Sequence, residues 1–193
     1  MISADVATKT LRLHGFLQSS LANGPGKRAV IWVRGCSLAC PGCFNPDSHS
    51  VDGGKLISTS ELAREVLELT DEIEGVTISG GEPLQQADAI LTFAETIKRQ
   101  SNLTVLLFSG FSWDEISRMP VAERLSTCVD LLIAGRYIES ERLGKGLIGS
   151  TNKTVHFLSD RYSMKDLESV PSCEVLISAN GDISVSGIDP LAL

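Results

Sequence analysis

Four short apolar runs rich in β-branched residues, separated by stretches with helical spacing, set the frame of the chain. Ala29 to Val33, Gly75 to Ser79, Thr104 to Ser109 and Val129 to Ala134 lack the polar alternation of a half-solvated strand, the pattern of strands buried on both faces. Between the first two, Ser58 with Glu61 three positions later makes a capping-box signal, and Leu62, Val66 and Leu69 follow at i, i+4 and i+7. Ala87, Ile90, Leu91, Ala94 and Ile97 mark a second helix with one apolar face. This order predicts an α/β fold with a parallel sheet and right-handed crossovers. Near the end the pattern changes, and Glu174 to Gly187 read as two strands around Ala179-Asn180-Gly181, a hairpin turn signal. Asn23 to Gly26 reads as a loop before the first core strand, and no internal repeat or low-complexity segment interrupts the pattern.

Composition narrows the class. A chain of 193 residues with 42% hydrophobic content is expected to form one domain with a sizeable core. A net charge of -7 counts against non-specific nucleic-acid binding, which needs clustered Lys and Arg. No basic stretch followed by an apolar run and a small-residue cleavage site opens the chain, and no apolar run is long enough to cross a bilayer. The expectation is a soluble cytoplasmic protein that meets a small molecule or another protein, not nucleic acid or membrane.

Five cysteines, three of them within eight residues, do not suit a disulfide framework in such a setting. Cys128 and Cys173 stand at the edges of apolar runs, where cysteine packs as a small hydrophobe. The other three fall where a parallel α/β sheet gathers its reactive groups, in the loops past the carboxyl ends of the strands. Gly35 to Cys43 (GCSLACPGC) follows the first strand, Gly80 to Pro83 (GGEP) the second, Ser109 to Trp113 the third and Gly135 to Tyr137 the fourth. Cys36, Cys40 and Cys43 would line one face of a helix, but Pro41 and Gly42 oppose a helix and favour a loop that can fold three thiolates around one centre. Close thiolates suit zinc or an iron-sulfur cluster. His49 is the nearest residue that would complete a Cys3His zinc site, whereas a cluster that binds a substrate at its fourth iron needs no fourth protein ligand. Spacing alone leaves an enzyme and a non-enzymatic zinc or electron-transfer module both open. Trp32 reads as core or as a shield for the metal, and His14 and His156 as strand residues in apolar alternations. Arg28 and Arg34 read as surface residues or as counter-charges to a negative cluster.

The spacing C-x3-C-x2-C followed by an aromatic, Phe44, with Gly80-Gly81-Glu82-Pro83 after the next strand, resembles the radical S-adenosylmethionine (radical SAM) superfamily. Within it, NGPGKR (Asn23 to Arg28), CFN (Cys43 to Asn45), LFSGFSWDEI (Leu107 to Ile116) and GLIGSTNKTVH (Gly146 to His156) resemble the anaerobic ribonucleoside-triphosphate reductase activating proteins. The resemblance implies an incomplete TIM-like β/α barrel of parallel strands; with the readings above, the expectation is a single domain, 1–193, with its core at about 23–160 and a C-terminal helix and hairpin in 161–193. It also implies a [4Fe-4S] cluster on Cys36, Cys40 and Cys43, with SAM chelating the fourth iron. Phe44, Asn45, Gly80, Gly81, Glu82, Pro83, Ser109 and Gly110 would contact SAM. The implied reaction is oxidoreductive: one electron breaks the bond from sulfonium to C5′, giving methionine and a 5′-deoxyadenosyl radical. In the family that radical takes the α-hydrogen of a glycine on a separate subunit, a glycyl radical enzyme such as anaerobic ribonucleotide reductase, under anaerobic conditions and with a flavodoxin- or ferredoxin-type electron donor. Another peptide or small-molecule substrate is the near alternative. Two departures fall on the substrate side: Ala134-Gly135 stands where activating proteins often carry Asp-Gly, and Ser150-Thr151-Asn152-Lys153 where they carry Ser-Ser-Asn-Gln. The tail from Arg161 onward matches less well and reads as a docking surface or a cover for a sheet edge. Val185 to Asp189 (VSGID) is faintly similar to the partners' glycyl-radical segment, which a strand ending in glycine explains.

Overall fold

The computed structural model describes residues 9–143, 146–178 and 180–187. Residues 1–8, read for a targeting signal, Ala179 of the expected turn, and Ile188 and Asp189 of the VSGID stretch lie outside the described residues. The strands are β1 (Thr10–Ser20), β2 (Arg28–Val33), β3 (Lys55–Ser58), β4 (Gly75–Gly80), β5 (Thr104–Ser109), β6 (Leu131–Ala134), β7 (Thr154–Phe157), β8 (Cys173–Ile177) and β9 (Ile183–Gly187). The helices are α1 (Thr59–Leu67), α2 (Ala87–Gln100), α3 (Trp113–Ile116), α4 (Ala122–Cys128) and α5 (Met164–Glu168).

The four apolar runs become β2, β4, β5 and β6, adjacent and parallel in that order. The last begins two residues later than its run, because Val129 still caps α4 and the Asp130 carboxylate is taken up by the Val105 N–H at 2.8 Å. Ser58 caps α1, its hydroxyl accepting the Glu61 N–H at 3.1 Å, and Leu69 lies just past the helix end. The parallel core is flanked by strands outside those runs: β1 runs antiparallel to both β2 and β3, and β7 runs antiparallel to β6. His14 and His156 sit in these flanking strands, as their alternation suggested. The sheet stays open, with β3 and β7 at its edges, and β8 and β9 form a separate C-terminal hairpin. Among the described residues no helix is long and apolar enough to cross a membrane.

Crossovers of one hand between strands added in one direction put their helices on one face of the sheet, as in the wall of a barrel. Here Ile31, Val33, Val76, Ile78, Val105, Leu107 and Leu132 form one buried cluster with Leu62 and Val66 of α1, Phe93 and Ile97 of α2, and Leu125 of α4. The opposite face carries a smaller cluster in which Leu106, Leu131 and Ile133 meet Leu147, Leu167 and Val170. Toward the carboxyl ends of the strands, Trp32, Ser79 and Phe108 form part of the wall of a cavity.

The amino-terminal end of the sheet is closed by a cation. Arg28 is fully buried, neither on the surface nor near the cysteines. Its guanidinium donates to Thr77 Oγ1, Thr104 Oγ1, Tyr162 Oη and the carbonyls of Pro25, Val76 and Thr104 at 2.7–3.2 Å. A methyl on Gly75 would lie 2.6 Å from both terminal guanidinium nitrogens, so glycine at the first position of β4 makes the room. Arg28→Met fills similar volume but leaves those acceptors bare, and is expected to cost about 3 kcal/mol of stability. Denaturant unfolding checks this as a lower midpoint at unchanged slope, with iron uptake per folded molecule preserved, because the cysteines sit at the other end of the strands.

Candidate metal centre

The loop after β2 folds back twice. Cys40-Pro41-Gly42-Cys43 makes a turn closed by Cys43 N–H to Cys40 O at 3.2 Å, with Gly42 at φ 68°. Pro followed by a left-handed glycine is the turn chemistry that sequence allows. Ala39, at φ 46°, is left-handed without being glycine, so the segment between the first two cysteines holds a sparsely populated conformation. The loop's ends are fixed by backbone bonds, Gly35 N–H to Ser48 O at 2.8 Å and Cys36 N–H to His49 O at 2.9 Å.

The second motif seats this loop. Gly81 N–H donates to Val33 O at 2.8 Å and Glu82 N–H to Gly35 O at 2.9 Å, extending the β2–β4 pairing beyond the strands. A methyl on Gly80 would stand 2.5 Å from Val33 O, and one on Gly81 2.4 Å from Gly35 O. Gly110 gives way in the same manner, since a methyl there would meet Leu38 Cδ1 at 2.4 Å. These glycines therefore admit the cysteine loop itself against the strand ends. Glu82, 1% exposed, caps the short 3-10 turn Pro83–Gln86. One of its oxygens accepts Leu84 N–H and Ser109 Oγ–H, both at 2.9 Å, and the other accepts Gly110 N–H at 2.6 Å. Burial pushes its carboxyl above the ordinary range, against the pull of those three hydrogen bonds. Gln86 ties the base together, its amide oxygen accepting Arg12 N–H at 2.8 Å and its nitrogen donating to Arg34 O at 3.0 Å.

A cavity of about 310 Å³ opens where these loops meet. Cys36, Cys40, Cys43, Phe44, Asn45, Gly80, Gly81, Glu82, Ser109 and Gly110 all line it. Pro83 does not; it is buried at the start of the 3-10 turn, where its fixed φ suits the first position. Trp32 is half-buried and forms part of the wall with Ser79 and Phe108, a shield more than a core residue. Phe44 packs on Tyr137 at 4.6 Å between ring centroids, with the Arg142 guanidinium 5.2 Å from its ring centre. Arg34 is turned to the base of the loop, bonded to Asp52 O and His14. Cys128 is buried apart from the site, its thiol bonded to Arg124 O and pushed up to about 12 by burial. Cys173 lies on the hairpin.

The three cavity cysteines are free thiols, each partly exposed. His49 also lines the cavity, but among the described residues no three His, Cys, Asp or Glu side chains gather closely enough to hold a single ion. A cluster takes its thiolates on separate irons and so does not require them to converge on one ion. Burial raises the Cys43 pKa, and its neighbours Cys40 and Cys36 add to the rise, while the Asn45 N–H, 3.4 Å from the sulfur, and Lys153 oppose it. Lys153 is the residue that sequence reasoning passed over: it lines the cavity, its pKa is lowered by burial, and Cys40, Glu82 and Cys43 counter that fall. Its only signal was the departure from Ser-Ser-Asn-Gln. The soft donor set and the adjacent cation fit an iron-sulfur cluster.

Comparison with known proteins gives the site its family. The model of the 4Fe-4S single cluster domain matches residues 22–156. The anaerobic ribonucleoside-triphosphate reductase-activating protein of Haemophilus influenzae is 28% identical over 149 residues, 73% of this chain and 94% of that protein. The pyruvate formate-lyase-activating enzyme of Clostridium pasteurianum is 33% identical over 106 residues, 53% of this chain and 44% of that protein. Among solved structures, QueE from Escherichia coli matches 53% of each chain with a TM-score of 0.44 and 12% identity. Since the family match spans the cysteine loop, the Gly-Gly-Glu-Pro turn and the strand ends around the cavity, this chain belongs to the 4Fe-4S single cluster domain family as a radical SAM enzyme of glycyl-radical activase resemblance, with a [4Fe-4S] cluster and SAM as its cofactors.

Proposed function

We propose that this chain, acting as one radical SAM domain, cleaves SAM reductively and stores the resulting radical on a glycine of a partner protein such as anaerobic ribonucleotide reductase. The observation that carries the proposal is the convergence of the three thiols of one loop with the Gly-Gly-Glu strand end and the next strand end on a single cavity. When bound, the cluster would supply the electron that breaks the sulfonium bond of SAM, leaving methionine and a 5′-deoxyadenosyl radical.

The chain's own part is to hold and to exclude. Cys36, Cys40 and Cys43 supply three thiolates and leave a fourth position for the substrate. Trp32, Phe44 and Phe108 give the cavity apolar wall against which an adenine can lie and which keeps water from a reactive intermediate. Asn45, Ser79 and Ser109 offer polar contacts in that wall. Gly80, Gly81 and Gly110 act one step back, by letting the cysteine loop sit close enough to the sheet for the thiols to face the cavity. The reading further assigns the protein to the cytoplasm, with a flavodoxin- or ferredoxin-type donor as the source of electrons and no nucleic acid among its partners.

Two outcomes are expected of anaerobic reconstitution followed by iron, sulfide and product analysis. Cys36→Ser, Cys40→Ser and Cys43→Ser each lose the cluster and the dithionite-driven release of 5′-deoxyadenosine, while Cys128→Ser and Cys173→Ser keep both; a colourless zinc protein that leaves SAM intact would overturn the proposal. Gly81→Ala, which forces a methyl onto Gly35 O, is expected to cost about 2 kcal/mol and to lower iron content. Gly15→Ala, whose methyl meets Trp32 at an ordinary 3.6 Å, is expected to load normally.

A further inference from the structure

Lys153 stands just before β7, on the loop that returns the chain from the end of β6. Its position is fixed from below and behind. A methyl on Gly135 would come 3.4 Å from Lys153 Cα, and one on Gly149 would come 3.9 Å from Lys153 Cε, so the stem runs along two glycines that leave it room. The ammonium donates to the Gly135 carbonyl. The Gly135 N–H is itself held by Ser109 O at 3.1 Å and Phe111 O at 2.9 Å, which ties the cation to the ends of β5 and β6. An ammonium has three donors, and among the described residues only the bond to Gly135 occupies one of them.

The surroundings give this charge a direction. Lys153 is the one Lys or Arg among the described residues that line the cavity. The acidic groups that share the wall with it are Glu82 and the cysteine thiols. The Glu82 carboxyl is held in place by hydrogen bonds from Leu84, Ser109 and Gly110, and it acts on the cation together with Cys40 and Cys43. The thiolates, with whatever charge they carry together with iron and sulfide, are the groups of that wall whose charge would change when an electron arrives.

We propose that the Lys153 ammonium sets the reduction potential of the cluster held by Cys36, Cys40 and Cys43, by stabilising the state that has gained an electron. A low-potential one-electron donor delivers that electron; no bond forms or breaks, and the net charge of the cluster with its thiolates falls by one. A fixed cation in the wall of the same cavity favours the more negative member of such a pair, and a partly buried wall screens the interaction less than water does. Lys153 is thus a positioning residue for charge, acting on the cluster and not on the substrate's reacting atoms. The inference rests on the radical SAM reading of the same cavity.

The test is an EPR-monitored redox titration of the anaerobically reconstituted full chain, without SAM, for the native protein and for Lys153→Gln, Lys153→Met and Lys153→Arg. The expected result is a midpoint moved to more negative potential in the two neutral variants and retained in the Arg variant, at equal iron and sulfide content. An unchanged midpoint in whichever neutral variant loads overturns the proposal. So does an equal shift in the Arg variant, which marks packing and not charge as the cause. SAM affinity measured on the same samples separates one rival role: weaker binding at an unchanged midpoint assigns the ammonium to the SAM carboxylate and overturns the redox role. A native chain that takes up no iron and sulfide would instead sink the radical SAM reading itself.

Discussion

The structure depends on a backbone contact at one point, where the chain leaving β2 lies against the chain leaving β4. Val33 and Gly35 on one side and Gly80 and Gly81 on the other approach so closely that no side chain fits between them. Two N–H to carbonyl bonds continue the strand pairing into what would otherwise be loose loops. This converts a nine-residue thiol-bearing segment into an extension of the sheet, so that the rigidity of the parallel core is passed on to the cysteines. Glu82 then carries the same constraint one strand further, because a buried carboxylate with three donors fixes the position of all three.

Much of this was legible in the amino-acid order, for identifiable reasons. The parallel strands could be read because burial on both faces erases polar alternation, and α1 and α2 because one face of each is apolar and Ser58 caps the first. The cysteine turn could be read because Pro41 and Gly42 leave the backbone few choices. The place where most site residues would meet followed from topology alone, since parallel strands open their carboxyl-end loops on one side.

What could not be read was set by contacts distant in sequence. Arg28 follows a glycine-rich loop and looks like a solvated cation; it is fully buried because Thr77, Thr104 and Tyr162, the last of them 134 residues away, converge on it. The glycines of the second motif read as room for a ligand; the space their side chains would take is filled by the backbone of Trp32, Val33 and Gly35, a contact distant in sequence, while both glycines still line the cavity. Pro83 belongs to the motif as a string but stands behind the cavity wall. Lys153 had no local signature beyond its departure from Ser-Ser-Asn-Gln, because its place in the site comes from the return of the chain after β6 to the mouth of the same loops.

The hairpin of β8 and β9 lies beyond the segment that the family model matches, yet Val185, Ser186 and Gly187 form part of the cavity wall. Its described residues join neither buried cluster, and it is fastened by polar ties: Glu174 to Ser20 and Leu21, and Asn23 to Ser186. Val175, Ile177 and Ile183 remain exposed on it. Detaching such a flap sacrifices a few hydrogen bonds and little apolar burial, far less than disturbing any strand beneath it. The cavity is thereby walled by two kinds of element, and substitutions in the appended piece can reshape one side of it while the thiol loop and the sheet beneath stay as they are.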